Sequence, residues 1–257
     1  RPTSVELRLA PDGFDSLASD NTAWLELTPA DKLDVYVPAR LAAFRLALEM
    51  GAQAVEFDVH QTKDHELVVL HDVDLKRVAG RKAQVRDLTW KELSQVDVGS
   101  WRDRAFAAER VPRLSDVYDL IQGKAELHLE IKKGTSLYPG IEERVVDLIQ
   151  KRKAWAATVV SSFDHAALYL VRWLDARARL GYLLGLTPMR TAYREMAEIK
   201  AESLNLSVRQ VDAGKVRACH EKDLKVLVYT PNERKALDRL DKMGVDGVFC
   251  NFPELMP

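Results

Sequence analysis

Three short stretches of the 257-residue chain combine acidic and basic side chains at spacings that could do chemistry. The first is Glu56-Phe57-Asp58, inside the apolar run 54–59. Residues two apart on a strand point the same way, so Glu56 and Asp58 share a face. Two carboxylates on one inward face repel unless a cation or a proton lies between them. A hard divalent ion such as Mg²⁺ or Ca²⁺ suits such a set, and pairing of one acid with a Lys or Arg is the competing arrangement. The second stretch is His71-Asp72, directly after the apolar run 66–70. A His at a strand exit beside an acid suits a general acid/base whose partner fixes its tautomer, although a His-Asp pair in a turn also serves purely structural ends. The third is Glu130-Ile131-Lys132, which adds a carboxylate and a cation for an anionic substrate. Glu56, Asp58, Glu130, His71 and Lys132 together suggest metal-assisted attack on a phosphate ester.

These residues need elements that bring their strand ends to one place. Apolar runs at 54–59, 67–70, 126–131, 158–161, 180–184, 203–206, 225–229 and 247–250 read as strands. Between most of them, segments 41–50, 141–151, 165–175, 189–199, 211–221 and 233–243 carry apolar residues at three- and four-residue spacing, the pattern of amphipathic helices. Strands alternating with helices of this length imply a mostly parallel sheet, and this many favour a closed (β/α)₈ TIM barrel over an open doubly wound sheet. No G-x-G-x-x-G turn follows an early strand, which also counts against a dinucleotide site. Residues 60–114 break the repeat and read as a hairpin plus a small insertion after the second strand, running through Trp90 and Trp101 above the barrel mouth.

Composition sets the outer bounds. Thirty-eight Lys and Arg balance 39 Asp and Glu, which argues against a nucleic-acid or anionic-membrane partner held by bulk charge. Two cysteines, Cys219 and Cys250, are too few for a disulfide scaffold or a thiolate metal cage. No stretch approaches the roughly 18 uninterrupted apolar residues of a membrane span. The expectation is therefore one barrel domain over residues 1–257 acting on a small-molecule phosphodiester, with no integral membrane segment. A cytoplasmic location is expected, with periplasm or export left open because the chain starts at Arg1-Pro2 without Met.

The same residues carry a family resemblance. Residues 51–72, GAQAVEFDVHQTKDHELVVLHD, resemble the core signature of the glycerophosphodiester phosphodiesterases: an acidic E-x-D strand, T-K-D in the turn and a catalytic H-D. The likeness continues through DVGSW at 97–101, VPRL at 111–114, LEIK at 129–132, SSF at 161–163, VLVYTPN at 226–232 and MGVDGVFCNFPE at 243–254. It implies a (β/α)₈ barrel that hydrolyses glycerophosphodiesters, such as glycerophosphocholine, to an alcohol and glycerol 3-phosphate. It also implies that Glu56, Asp58 and Glu130 bind a divalent cation (Mg²⁺ or Ca²⁺), that His71 is one of two acid/base histidines, and that Lys132 contacts phosphate. Trp101, Phe163 and Tyr229 are candidate walls around the alcohol, with core packing as the competing role.

The pattern breaks at the front. The family opens with a strand ending in H-R-G, whose His is the second acid/base group and whose Arg contacts phosphate, followed by P-E-N-T. This chain has no His before His60. The best alignment sets Ala10-Pro11-Asp12-Gly13 over A-H-R-G and Ser19-Asp20-Asn21-Thr22 over P-E-N-T, leaving residues 23–40 as an insertion. Four outcomes follow: a slow phosphodiesterase, one with a substitute catalytic group, an inactive relative that binds glycerol phosphate-like ligands, or a damaged copy. His60 and His65 are the candidate substitutes; His60, two residues past Asp58 on its face, is placed to reach the mouth, while His65, in the turn before Glu66, is expected in solvent. His128 is expected deeper on the Glu130 face, and His165 and His220 in structural places. Cys250-Asn251 stands where the family shows Thr-Asp.

Overall fold

A computed structural model describes residues 23–26 and 41–251. Among the described residues, nine strands form one sheet: β1 (Ala23–Glu26), β2 (Ala54–Gln61), β3 (Leu67–Val69), β4 (Glu126–Ile131), β5 (Thr158–Ser162), β6 (Arg179–Leu183), β7 (Ser203–Ser207), β8 (Lys225–Tyr229) and β9 (Gly247–Cys250). β2 and β4 to β9 pair in parallel, each with the next. β1 pairs with both β9 and β2 and closes the ring, so the fold is an eight-stranded α/β barrel.

Two elements differ from the sequence expectation. The run 67–70 is not a barrel stave; β3 is a hairpin partner of β2, outside the ring. It looks like a core strand because all three of its residues are buried, covered by the excursion that follows: Val69 N–H donates to the Pro112 carbonyl at 2.9 Å. The remaining stave is β1, which falls in the stretch read as an insertion, and it runs antiparallel to both neighbours. The residues aligned over A-H-R-G and P-E-N-T lie outside the described residues.

Alternation along each strand separates two apolar layers. On β4, Leu127, Leu129 and Ile131 join the large outer core between sheet and helices. On the inner face Ala54, Leu227 and Phe249 make a small separate cluster with Tyr229 packed on it, plugging the ring. Glu56, Asp58 and Glu130 alternate with outer-core residues, so strand parity turns them inward. Gly181 keeps this interior open, since a Cβ there would sit 3.1–3.2 Å from Ser203 and Asn205.

The helices cover the outside as their periodicity requires; Ile141–Lys151 and Met189–Ile199 have the expected bounds. Helix Leu114–Ile121 was not anticipated, although Leu114, Val117, Tyr118 and Ile121 bury one stripe at helical spacing. Arg113 and Asp116 fix its start by side-chain and backbone hydrogen bonds. The excursion is tied down at Asp64, whose Oδ1 accepts the Trp90 N–H at 2.8 Å, and by a capping box of Thr89 and Glu92.

Candidate active site

The C-terminal ends of the parallel strands surround a cavity of about 290 Å³. Its wall includes Glu56, Asp58, His71, Glu130, Lys132, Phe163 and Tyr229. Ser161, Leu183, Asn205, Thr230 and Phe249, not singled out as site residues from sequence, complete it. Their signal was position alone: Ser161, Leu183, Thr230 and Phe249 lie at or beside a strand end, and Asn205 lies mid-strand.

Register brings the acids together. Asp58 pairs with Glu130 across β2 and β4, and Glu56 lies one inward step below, level with His128. One carboxylate oxygen from each of Glu56, Asp58 and Glu130 falls within 4.8 Å of the others. Lys132 lies against them, its Nζ donating to Asp58 Oδ1 at 2.6 Å and standing 3.3 Å from Glu130 Oε1. Both arrangements anticipated for the acids therefore coexist, an oxygen cluster and a lysine pair.

Among the described residues, three acids face one ammonium, an excess equal to one divalent cation if all ionise. Burial pushes the Glu130 carboxyl well above its ordinary range; Lys132 pulls it down, but Asp58 pushes it further up. Asp58 and Glu130 are buried. An all-oxygen set that includes two buried acids fits a hard divalent ion.

His71 arrives from the other side of the hairpin. The Leu70 N–H donates to the Asp58 carbonyl at 3.1 Å, which sets His71 beside the acids. Its Nδ1 donates to Asp72 Oδ1 at 2.8 Å, and Asp72 Oδ2 accepts from Arg77 Nε at 2.7 Å. Burial works against ionisation of Asp72, but the hydrogen bonds from His71 and Arg77 outweigh it and hold the carboxyl at about 2. With Nδ1 committed to Asp72, Nε2 is the second ring nitrogen of His71, and His71 lines the cavity.

His60 is not at the mouth. Pairing of β2 with β4 ends at Val59, and beyond it β2 follows β3 out of the ring, so face parity no longer points residue 60 into the cavity. His60 is fully buried, with Nε2 3.1 Å from the His71 carbonyl and Nδ1 2.7 Å from the Tyr138 hydroxyl. The carbonyl can only accept, so Nε2 carries the proton and Tyr138 donates to Nδ1. Burial lowers the His60 pKa to about 4, leaving a neutral prop behind His71. His65 is exposed, and Gln61 Nε2 bonds its Nδ1. His128 is buried below Glu130, 2.8 Å from Glu126. His165 sits between Tyr182 and the Leu183 carbonyl, and His220 pairs with Asp246.

Of the three candidate alcohol walls, Phe163 and Tyr229 meet edge to face across the cavity, ring centres 6.1 Å apart. Phe163 is held by the loop after β5, where Ser162 Oγ donates to the Ile131 carbonyl and accepts the Asp164 N–H. Burial and the nearby Glu130 push Tyr229 up to about 12, so it stays a neutral phenol. Trp101 is not part of this wall; its ring lies over Arg77, with the guanidinium carbon 5.3 Å from the ring centre. Cys250 and Asn251 are buried, and the Asn251 N–H donates to Asn232 Oδ1.

Known proteins share this sequence and shape. The glycerophosphoryl diester phosphodiesterase family matches over residues 40–255. A glycerophosphodiester phosphodiesterase of Caldanaerobacter subterraneus subsp. tengcongensis is 34% identical over 220 residues, 84% of this chain and 89% of that protein. One from Bacillus altitudinis is 31% identical, covering 85% and 91%. Among solved structures, an Oleispira antarctica phosphodiesterase in complex with the product sn-glycerol-3-phosphate superposes with a TM-score of 0.78 at 26% identity, over 84% of this chain and 87% of that one.

Proposed function

We propose, for a chain that belongs to the glycerophosphoryl diester phosphodiesterase family, metal-dependent hydrolysis of a glycerophosphodiester to the free alcohol and glycerol 3-phosphate. The observation that carries this reading is the convergence of Glu56, Asp58 and Glu130 within 4.8 Å, beside Lys132 and in a cavity shared with His71. Glu56, Asp58 and Glu130 hold the cation, Mg²⁺ or Ca²⁺. When bound, the ion supplies Lewis-acid polarisation of a phosphoryl oxygen. Lys132 contacts the phosphate. His71 Nε2 moves the proton, taking it from the attacking water when neutral or giving it to the leaving alkoxide when protonated. Phe163 and Tyr229 flank the alcohol.

A second reading rests on a specific observation, the absence of any His before His60. Loss of one of two acid/base groups typically slows such a reaction by about 10²–10⁴-fold, and an inactive protein that binds glycerol phosphate is its limit. One experiment separates the two. Incubate the protein with glycerophosphocholine and Mg²⁺ or Ca²⁺ and follow glycerol 3-phosphate. Turnover that EDTA and Glu56→Gln both abolish supports hydrolysis; calorimetric binding of glycerol 3-phosphate with no product over long incubation supports the binding protein. Turnover indifferent to both treatments overturns the metal mechanism.

A further inference from the structure

From the Nδ1 side of His71 runs a series of contacts that the reaction outlined above does not use. Asp72 receives His71 Nδ1 on one oxygen (2.8 Å) and Arg77 Nε on the other (2.7 Å). The Arg77 guanidinium lies in turn over the Trp101 ring, 5.3 Å from its centre. Trp101 is itself fixed, its indole N–H donating to the Val98 carbonyl at 2.9 Å, and Asp97 shapes that loop by accepting the Gly99 and Ser100 N–H groups at 2.8 and 2.9 Å. Every link has one favourable geometry: carboxylate to imidazole, guanidinium to carboxylate, guanidinium on indole.

We propose that Arg77, clamped by Trp101, is a positioning residue that aims Asp72 so that His71 is locked as the Nδ1–H tautomer with Nε2 turned to the cavity. The long excursion after the hairpin then acts on the acid/base group from its Nδ1 side and does not wall the alcohol site. About a quarter of the Asp72 and Arg77 side-chain surfaces is accessible, so without a second tether the carboxylate could turn to water and release the ring. His60 fixes the His71 backbone through its carbonyl, and the Arg77 series fixes the ring; between them they leave the imidazole little freedom. The proposal rests on His71 being the proton-transfer group, but its readout does not need turnover.

The test is nitrogen-15 NMR of the ring nitrogens, with the His71 signals assigned by their loss in His71→Gln, alongside steady-state kinetics. In the unmodified protein the neutral His71 ring should carry its proton on Nδ1 and leave Nε2 bare. Arg77→Ala should mix the tautomers and lower kcat by about 10–100-fold while KM moves less than about twofold, the pattern for a lost outer support of a working group. Arg77→Lys should recover part of both signals. Trp101→Ala should lower kcat by about 2–5-fold, the worth of an exposed cation–π contact, and Trp101→Phe should recover it. A tautomer unchanged in Arg77→Ala overturns the proposal, as does a loss appearing in KM alone. If Arg77→Ala does not fold, Arg77→Lys and Trp101→Ala carry the same readouts. No turnover in the unmodified protein, with the predicted tautomer shift still present, would sink the hydrolase reading and leave the positioning role standing.

Discussion

Glu126 and Glu130 occupy the same face of the same strand, four residues apart, and meet opposite electrostatic fates. At the lower end of the barrel, Glu126 accepts from His128 at 2.8 Å and from Arg179 at 2.6 Å, and Arg179 also grips Glu202. Burial opposes ionisation of Glu126, but His128 and Arg179 outweigh it and bring the carboxyl to about 2. At the mouth, Glu130 shares a single lysine with Asp58, and burial drives its carboxyl upward. The lower end is a network of matched pairs that holds the strands; at the mouth, among the described residues, one lysine serves three acids.

The largest expected effect is at the mouth. Glu130→Gln or Glu56→Gln should lower kcat/KM by about 10⁴-fold or more, because each takes one negative charge from the oxygen set proposed to hold the ion. The metal-free fold should melt at an unchanged or higher temperature in Glu130→Gln, since the variant relieves a buried acid. His71→Ala should cost about 10²–10⁴-fold in kcat and leave metal binding by calorimetry intact, which would divide the mouth into holding and proton-moving parts. The lower end should respond in reverse. Glu126→Gln should cost about 1–3 kcal/mol in a denaturant titration, since it strips His128 and half of Arg179 of a charged partner, while kcat stays within about threefold.

The smallest effect is the pH dependence, and it has opposite signs at the two ends. The folded value for Glu126, about 2, lies below its ordinary 4.5, so its contribution is complete above pH 4.5 and is lost as pH falls towards 2. Glu130 is raised, so in EDTA its contribution is present below pH 4.5 and is lost as pH rises through its folded value. Melting curves in EDTA should therefore show an acid-side loss that Glu126→Gln flattens and a loss towards neutral pH that Glu130→Gln flattens. Identical profiles for the two variants would break the comparison.

How much of this was legible beforehand follows the same physics. Strand parity alone placed Glu56 and Asp58 on one face, and the parallel register that aligns Asp58 with Glu130 follows from the barrel. Parity failed where its premise failed: at His60 the strand has left the ring. The three-residue run Leu67–Val69 reads as a stave because burial on both sides looks the same from sequence whatever covers it. β1 could not be found by repeat, since it runs against both its neighbours. The Arg77–Trp101 contact joins residues 24 apart in an irregular loop, where no periodicity announces a neighbour.

The central claim is a single divalent ion touching all three acids. Anomalous diffraction from crystals grown with Mn²⁺ measures it directly. The account predicts one strong peak in contact with carboxylate oxygens of Glu56, Asp58 and Glu130 together, absent from Glu130→Gln crystals. A site empty at millimolar Mn²⁺ in a protein that turns over glycerophosphocholine, or a peak bound by other residues, would contradict it.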